Sequence, residues 1–352
     1  MNSVYLNSLE EFLKYQDSKE KMYLLLVSEN CDFNHETIKK LNVNCYGAIF
    51  PEIIFGGKHY KDGLIAIDIL IEPILVNNME NKIEDEKKFS SIKSMLLFVD
   101  GLSPYIDPFL VSLFESTNEE CKIFGGGAGK MTLRQERVIF TPEHITQNSA
   151  LIIPLAQDLD VGVSHGWEYL DGPHVATSSS KNVLEQIDYE YAFDVYKSIV
   201  EKDSGLTFNE NNFFELAKSY PLGIVSYSGE IIVRDPIASD GKSLVLVGVM
   251  PQNSVIQVLK GKKSKLIEAA KFAAINAMDN KKEKEKEIGI VIMIDCISRV
   301  LFLEDTFVKE IDSVRAIIGG LPLVGALTLG EIANKSDRYI DFYNKTCVVG
   351  TL

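Results

Sequence analysis

One arrangement recurs along the chain and restricts its fold more than any other feature. A short apolar strand leads through a helical stretch to a glycine that opens a second strand, then a polar hairpin and a hydrophobic return. The first copy runs from "YLLLVSE" (23–29) through a helix near 34–41 to "CYGAIFPEIIFGGKHYKDGLIAIDIL". The next starts at "SMLLFVDG" (94–101), passes a helix at 104–117 and continues through "FGGGAGKM" to "ALIIPLA" (150–156). The last runs from "GIVIMIDC" (289–296) through a helix at 304–317 to "LVGALTLGEI" and "TCVVGTL" (346–352). A fourth copy is read in "LGIVSYSGEIIVRDPIASDGKSLVLVGVM". Several strands are apolar at consecutive positions, as in sheets covered on both faces. Leu266, Ala269, Ala270, Ala273 and Ala277 recur at helical spacing over 265–278. The expected fold is α/β: tandem strand-helix-strand-strand repeats forming mixed sheets, with helices packed outside. A chain of 352 residues exceeds what one core usually supports, so two related domains are expected, 1–188 and 189–352, meeting near the helical stretch 189–201.

The repeat bears on "KIFGGGAGKM" (122–131), which looks at first like a phosphate loop. That loop requires G-x-x-x-x-G-K-[ST]; here Phe124 stands where the first glycine belongs and Met131 follows Lys130. The sequence beyond it reads as strand and turn rather than as the helix a phosphate site needs. Gly47, Gly126, Gly223 and Gly325 instead take equivalent places in the four copies. Glycine there lets backbones approach or a sheet bend, or lets a ligand approach the backbone; Gly126 and Gly127 are candidates for the second role.

Fifty acidic against 36 basic residues give a net charge of −14, which disfavours nucleic acid and anionic membrane surfaces as partners. Five cysteines without a C-x-x-C pair fit a reducing compartment. No run approaches the ~20 apolar residues needed to span a bilayer, and the N-terminus lacks the pattern of a signal peptide. A cytoplasmic location without membrane insertion is expected.

The chain resembles the FIST family, a tandem of FIST-N and FIST-C domains, over nearly its whole length. The resemblance rests on "GGGAGK", "ALIIPLA" and "VGVSHGWEYLDGPHVATSSSKNVLEQID", with Trp167, Thr177 and Asp188, in the first half. In the second half it rests on "YPLGI", "VRDPIASDGKSLVLVGVMPQNSVIQVL", "DCISR", "GALTLGEI" and "FYNKT". It implies a sensory, signal-transduction module that recognises a small ligand such as an amino acid. It also implies an alternative, since some members are described as haem-containing nitric oxide sensors. The two halves occupy the chain without a fused output domain, so a partner such as a histidine kinase, a cyclic-dinucleotide enzyme or a chemoreceptor is expected to carry the signal.

Several residues have the chemistry for binding. Arg234, placed in a turn before Pro236, and Arg299, after Cys296, offer guanidinium forks for a carboxylate, although Arg234 could equally pair with Asp235 or another acid. Glu331 in "LGEI" matches Glu230 in "SGEI", so two carboxylates could face one cleft, as ligand contacts or as acid and base. Asn344 completes the polar contacts expected with Arg299, Glu331 and Arg234. Cys296 ends a strand, where it could act as a nucleophile or contact a ligand, but no histidine occurs in the second half. Thr177 begins a hydroxyl cluster suited to an anion or a helix cap. No histidine pair has zinc spacing; a haem would need one axial ligand, and His165 beside Trp167 is the first candidate, ahead of His144 and His59. The expectation is a non-enzymatic sensor without a cofactor; haem binding, and an enzyme using Cys296 or Glu230 with Glu331, are the alternatives.

Overall fold

A computed structural model describes residues 2–16, 21–83, 89–157, 159–226, 229–282, 288–334 and 339–352. Parts of the charged runs at 77–90 and 279–287 lie outside them. The architecture is mixed α/β; the described residues form three six-stranded sheets and one antiparallel barrel.

Each six-stranded sheet is built on one copy of the repeat. Met22–Ser28 pairs parallel with Cys45–Phe50, Ser94–Asp100 with Lys122–Ala128, and Val291–Cys296 with Leu323–Thr328. Helices His35–Leu41 and Ile106–Ser116 make the first two crossovers. The third is split: Ile297–Leu303 ends in a 3₁₀ turn at Glu304–Thr306 before Phe307–Ile318, because Glu304 takes a left-handed φ of 53°. The returns Leu64–Ile69, Ala150–Pro154 and Cys347–Thr351 then pair antiparallel with the first strand of their own copy.

The hairpins are exchanged in a ring. Glu52–Phe55, from the first copy, pairs with Leu323–Thr328 of the third. Glu331–Ala333, from the third, pairs with Lys122–Ala128 of the second. Ile139–Phe140, from the second, pairs with Cys45–Phe50 of the first. The three copies therefore stand in a pseudo-threefold relation and share a common core. Alternation along the strands divides their side chains: Leu96, Phe98, Ile292 and Ile294 face that core, whereas Met95 and Leu97 face helix Ile106–Ser116, and Val291 and Met293 face helices Lys263–Lys282 and Phe307–Ile318.

The glycines explain how the parallel strands approach. Gly47, Gly125 and Gly325 lie opposite Leu25, Leu97 and Met293. A Cβ at any of the three would overlap the carbonyl oxygen of its partner. The second copy is thus shifted by one residue from the sequence alignment, and Gly126, on the other face, abuts Ile294 and Thr328 of the third copy.

The fourth copy is different. Leu222–Val225 lies between two antiparallel strands, Ile231–Ser239 and Val255–Lys260, with no parallel partner. A Cβ on Gly223 would meet the side chains of Ile231 and Leu259, not backbone. These strands join Leu244–Val247, Val183–Ile187 and Glu168–Ser180 in one antiparallel series. Pairing of Val183–Ile187 with Glu168–Ser180 closes it into a barrel. Tyr196 and Val200 of helix Ala192–Ser204 pack with Leu184, Leu222 and Val258 in its core. Arg234 and Asp235 sit within strand Ile231–Ser239 rather than in a turn, since the extended backbone favoured before proline continues the strand and a bulge beyond Pro236 absorbs the irregularity.

Candidate functional site

Two polar regions lie where the three-sheet body meets the barrel, one sealed and one open. The sealed region surrounds the end of strand Val291–Cys296. All five N–H groups of Arg299 have protein acceptors: Nε on Glu310 at 2.8 Å, Nη1 on the carbonyls of His165 and Lys345, and Nη2 on Leu266 O and Glu310. The thiol of Cys296 lies 3.0 Å from Ser298 Oγ, and burial pushes its pKa up, so it is held as thiol. Glu331 accepts from Thr328 Oγ1 at 2.9 Å and from the Thr346 N–H at 3.1 Å; burial raises its carboxyl to about 8. Asn344 donates to Tyr343 O, and its Oδ1 has no partner among the described residues.

Lys345 is fully buried, 3.1 Å from Asp235, 3.0 Å from Lys218 O and 5.0 Å from the centre of the Trp167 ring. Trp167 Nε1 donates to Lys345 O. The structure therefore brings Cys296, Arg299, Glu331, Asn344 and Trp167 into one neighbourhood and adds Lys345, Asp235 and Glu310, which sequence reading did not select as site residues. Lys345 stands in "FYNKT" without any pattern that separates it from a surface lysine.

Glu230 and Glu331 do not converge in the same way. Glu230 acts on Asp341 and Tyr343, whereas Glu331 is engaged by Thr328 and Thr346. Thr177 lies on the barrel, where its Oγ1 accepts from the Tyr189 N–H; Gly127 packs against Gly101 and Leu329. His165 Nδ1 accepts from the Trp167 N–H.

The open region is a cleft of about 220 Å³ between the turn Gly101–Asp107 and the barrel. The turn is fixed by Asp100, which accepts from Leu102 N, Gln135 Nε2 and Asn148 N. Asp107 follows in the first turn of helix Ile106–Ser116, a position that favours an acid. The barrel wall is Leu246–Val249, and Lys181 and Asn182, between two barrel strands, complete the lining. Leu102, Ile106, Ile237 and Phe342 make most of the surface apolar, with Asp107 and Lys181 as its charged groups.

Arg234 stands immediately behind this wall. Its Nε donates to Val249 O at 2.8 Å and its Nη1 to Phe342 O at 3.0 Å, and both acceptor residues line the cleft. Gly248, at φ 82°, makes room: a Cβ there would lie 3.1 Å from Arg234 Nε. Burial raises the pKa of Asp107, while Arg234 and the Val249 N–H oppose the shift. Buried Asp235, the neighbour in sequence, pairs with Lys345 rather than with Arg234 because adjacent strand residues point to opposite faces.

Among the described residues, no group of three or more His, Cys, Asp or Glu side chains is placed to hold a metal, and no helix is long and apolar enough to cross a membrane. No curated protein matches the chain. Residues 34–190 match the FIST N domain and residues 192–334 the FIST C domain. The junction falls at strand Glu190–Tyr191, just before helix Ala192–Ser204. With both domains matched in order across most of its length, and an α/β fold of repeated units to carry them, the chain belongs to the FIST family of sensory signal-transduction domains.

Proposed function

We propose that the protein senses a small amphiphilic zwitterion of amino-acid type, held in the cleft between the turn Gly101–Asp107 and the barrel, and signals through a partner protein. The observation carrying this reading is the lining: an apolar surface with a carboxylate from the first half of the chain and an ammonium from the barrel turn. Asp107 would receive the ligand's ammonium, Lys181 its carboxylate, and Leu102, Ile237 and Phe342 its apolar side chain. Few polar groups on an apolar wall is the usual composition of a small-molecule site, and about 220 Å³ lies below the ~300–1,000 Å³ of sites for larger ligands. Arg234 supports the wall and the charge of Asp107 without itself lining the cleft.

On this reading Arg299, Glu331 and Cys296 belong to the sealed region and do not touch the ligand. The cleft contains no histidine to bind a haem iron, and the Cys296 thiol has neither a histidine partner nor thiolate character. Screening the twenty amino acids by thermal shift tests the proposal. An apolar amino acid should stabilise the wild type and lose at least tenfold in affinity with Asp107→Asn and with Lys181→Ala. Unchanged affinity in both variants would remove the ligand from the cleft.

A further inference from the structure

The barrel carries an exposed aromatic patch at the far end of the strand that reaches the cleft. Strand Val183–Ile187 begins beside Lys181 and Asn182, which line the cleft, and ends at the turn Asp188–Tyr189. Tyr189 is 83% exposed and Tyr191 49%. Val175 and Val255, exposed and paired across adjacent strands, continue the same outer face. Ala176 and Ile187, one residue away from Val175 and Gln186, point into the barrel core, so the register places Val175, Gln186 and Tyr191 outward.

The turn is held against its backbone preference. Asp188 and Tyr189 have φ values of 51° and 70°, a region that non-glycine residues seldom occupy. Asp188 Oδ1 accepts from the Val175 N–H, and Thr177 Oγ1 accepts from the Tyr189 N–H, so two side-chain bonds fix a tyrosine almost wholly in water. The charges around it are mainly acidic: Asp188 and Asp171, which hold His174 between them, with Glu185 and Glu190. One cation already uses the surface, with Lys242 Nζ 5.2 Å from the centre of the Tyr191 ring.

We infer that the Tyr189–Tyr191 patch is a docking surface for a protein partner, and that the partner presents arginine or lysine side chains to the tyrosine rings and the acidic rim. Tyrosine and arginine are the side chains that concentrate binding energy at such interfaces. A second copy of this chain would bring the same acidic rim against itself, which charge opposes. The assignment is independent of what occupies the cleft.

Titration of the full chain, with its tyrosine rings isotopically labelled, against an octa-arginine and an octa-glutamate peptide tests this surface. The arginine peptide should shift Tyr189 and Tyr191 more than other tyrosines, with affinity falling at higher salt and falling at least fivefold in Tyr189→Ala but not in Val111→Ala, an exposed position on a helix of the three-sheet body. Shifts spread evenly over the tyrosines would show only attraction to a chain of charge −14 and would overturn the assignment. Concentration-dependent dimerisation abolished by Tyr189→Ala would also overturn it, by making the patch a contact between copies.

Discussion

Arg299 and Glu310 form a two-pronged ion pair wholly removed from water, with Nε–Oε1 at 2.8 Å and Nη2–Oε2 at 2.9 Å. Asp295 lies 3.1 Å from the same Nε; burial and then the charge of Glu310 raise its pKa, which disfavours its ionised form beside the pair. This pair ties strand Val291–Cys296 and helix Ile297–Leu303 to helix Phe307–Ile318, and Arg299 also reaches the His165 carbonyl at the entry to the barrel.

Arg299→Ala should therefore destabilise the fold by about 3–5 kcal/mol, the usual effect of stranding one member of a buried pair. Arg299→Leu combined with Glu310→Leu should recover part of that loss. Urea unfolding measures both, and a single substitution costing under ~1 kcal/mol would show that the pair is not structural.

Glu331 makes stability depend on pH. Its folded pKa of about 8 lies above the ordinary value of 4.5, so the folded state retains a proton that the unfolded state loses. The neutral carboxyl is favoured in the fold, and its contribution should decline by roughly 1.4 kcal/mol per pH unit as pH rises from about 5 to 8. Glu331→Gln, which stays neutral, should flatten the curve of unfolding free energy over that range relative to wild type.

His174 titrates with the same sign, for a different reason. Burial disfavours its imidazolium, but hydrogen bonds to Asp188 at 2.7 Å and Asp171 at 2.9 Å outweigh burial and raise its pKa. Its contribution is present below the unfolded value of about 6.5 and is lost as pH rises through the higher folded value. An NMR titration should find the His174 pKa above 6.5 in wild type and lower in Asp188→Asn; equal values would dissolve the proposed coupling.

Gly47→Ala, Gly125→Ala and Gly325→Ala should each prevent soluble expression or cost more than about 4 kcal/mol, because the added methyl meets a carbonyl oxygen of the paired strand. Gly223→Ala should cost about 1–3 kcal/mol, since the side chains of Ile231 and Leu259 can move. Equal losses at all four positions would contradict the distinction between the three sheets and the barrel.

Much of this fold was legible in the chain because strand, helix, glycine and hairpin are local signals. The apolar runs at 94–101 and 289–296 and the helix at 265–278 appear within a few residues of the strands Ser94–Asp100 and Val291–Cys296 and the helix Lys263–Lys282. The ring of exchanged hairpins was not legible, since "EIIF" has the same alternation whichever sheet it joins. Gly125 was displaced to Gly126 because three consecutive glycines give no phase. The Leu222–Val225 segment repeats the glycine and hairpin signals, but its lack of a helical crossover decides its barrel pairing. Arg234 was singled out as a ligand contact by its chemistry but stands behind the cleft wall, bonded to Val249 O and Phe342 O, whereas Asp107 in "SPYIDPFL" looks like any acid at a helix start.

Native mass spectrometry of freshly purified protein tests the central claim most directly. The wild type should retain an adduct with the mass of an amino acid, and Asp107→Asn should lose it while keeping the unfolding midpoint of the wild type stripped of its ligand. An adduct held equally by both, or one with the mass of haem, would contradict a zwitterion bound at Asp107.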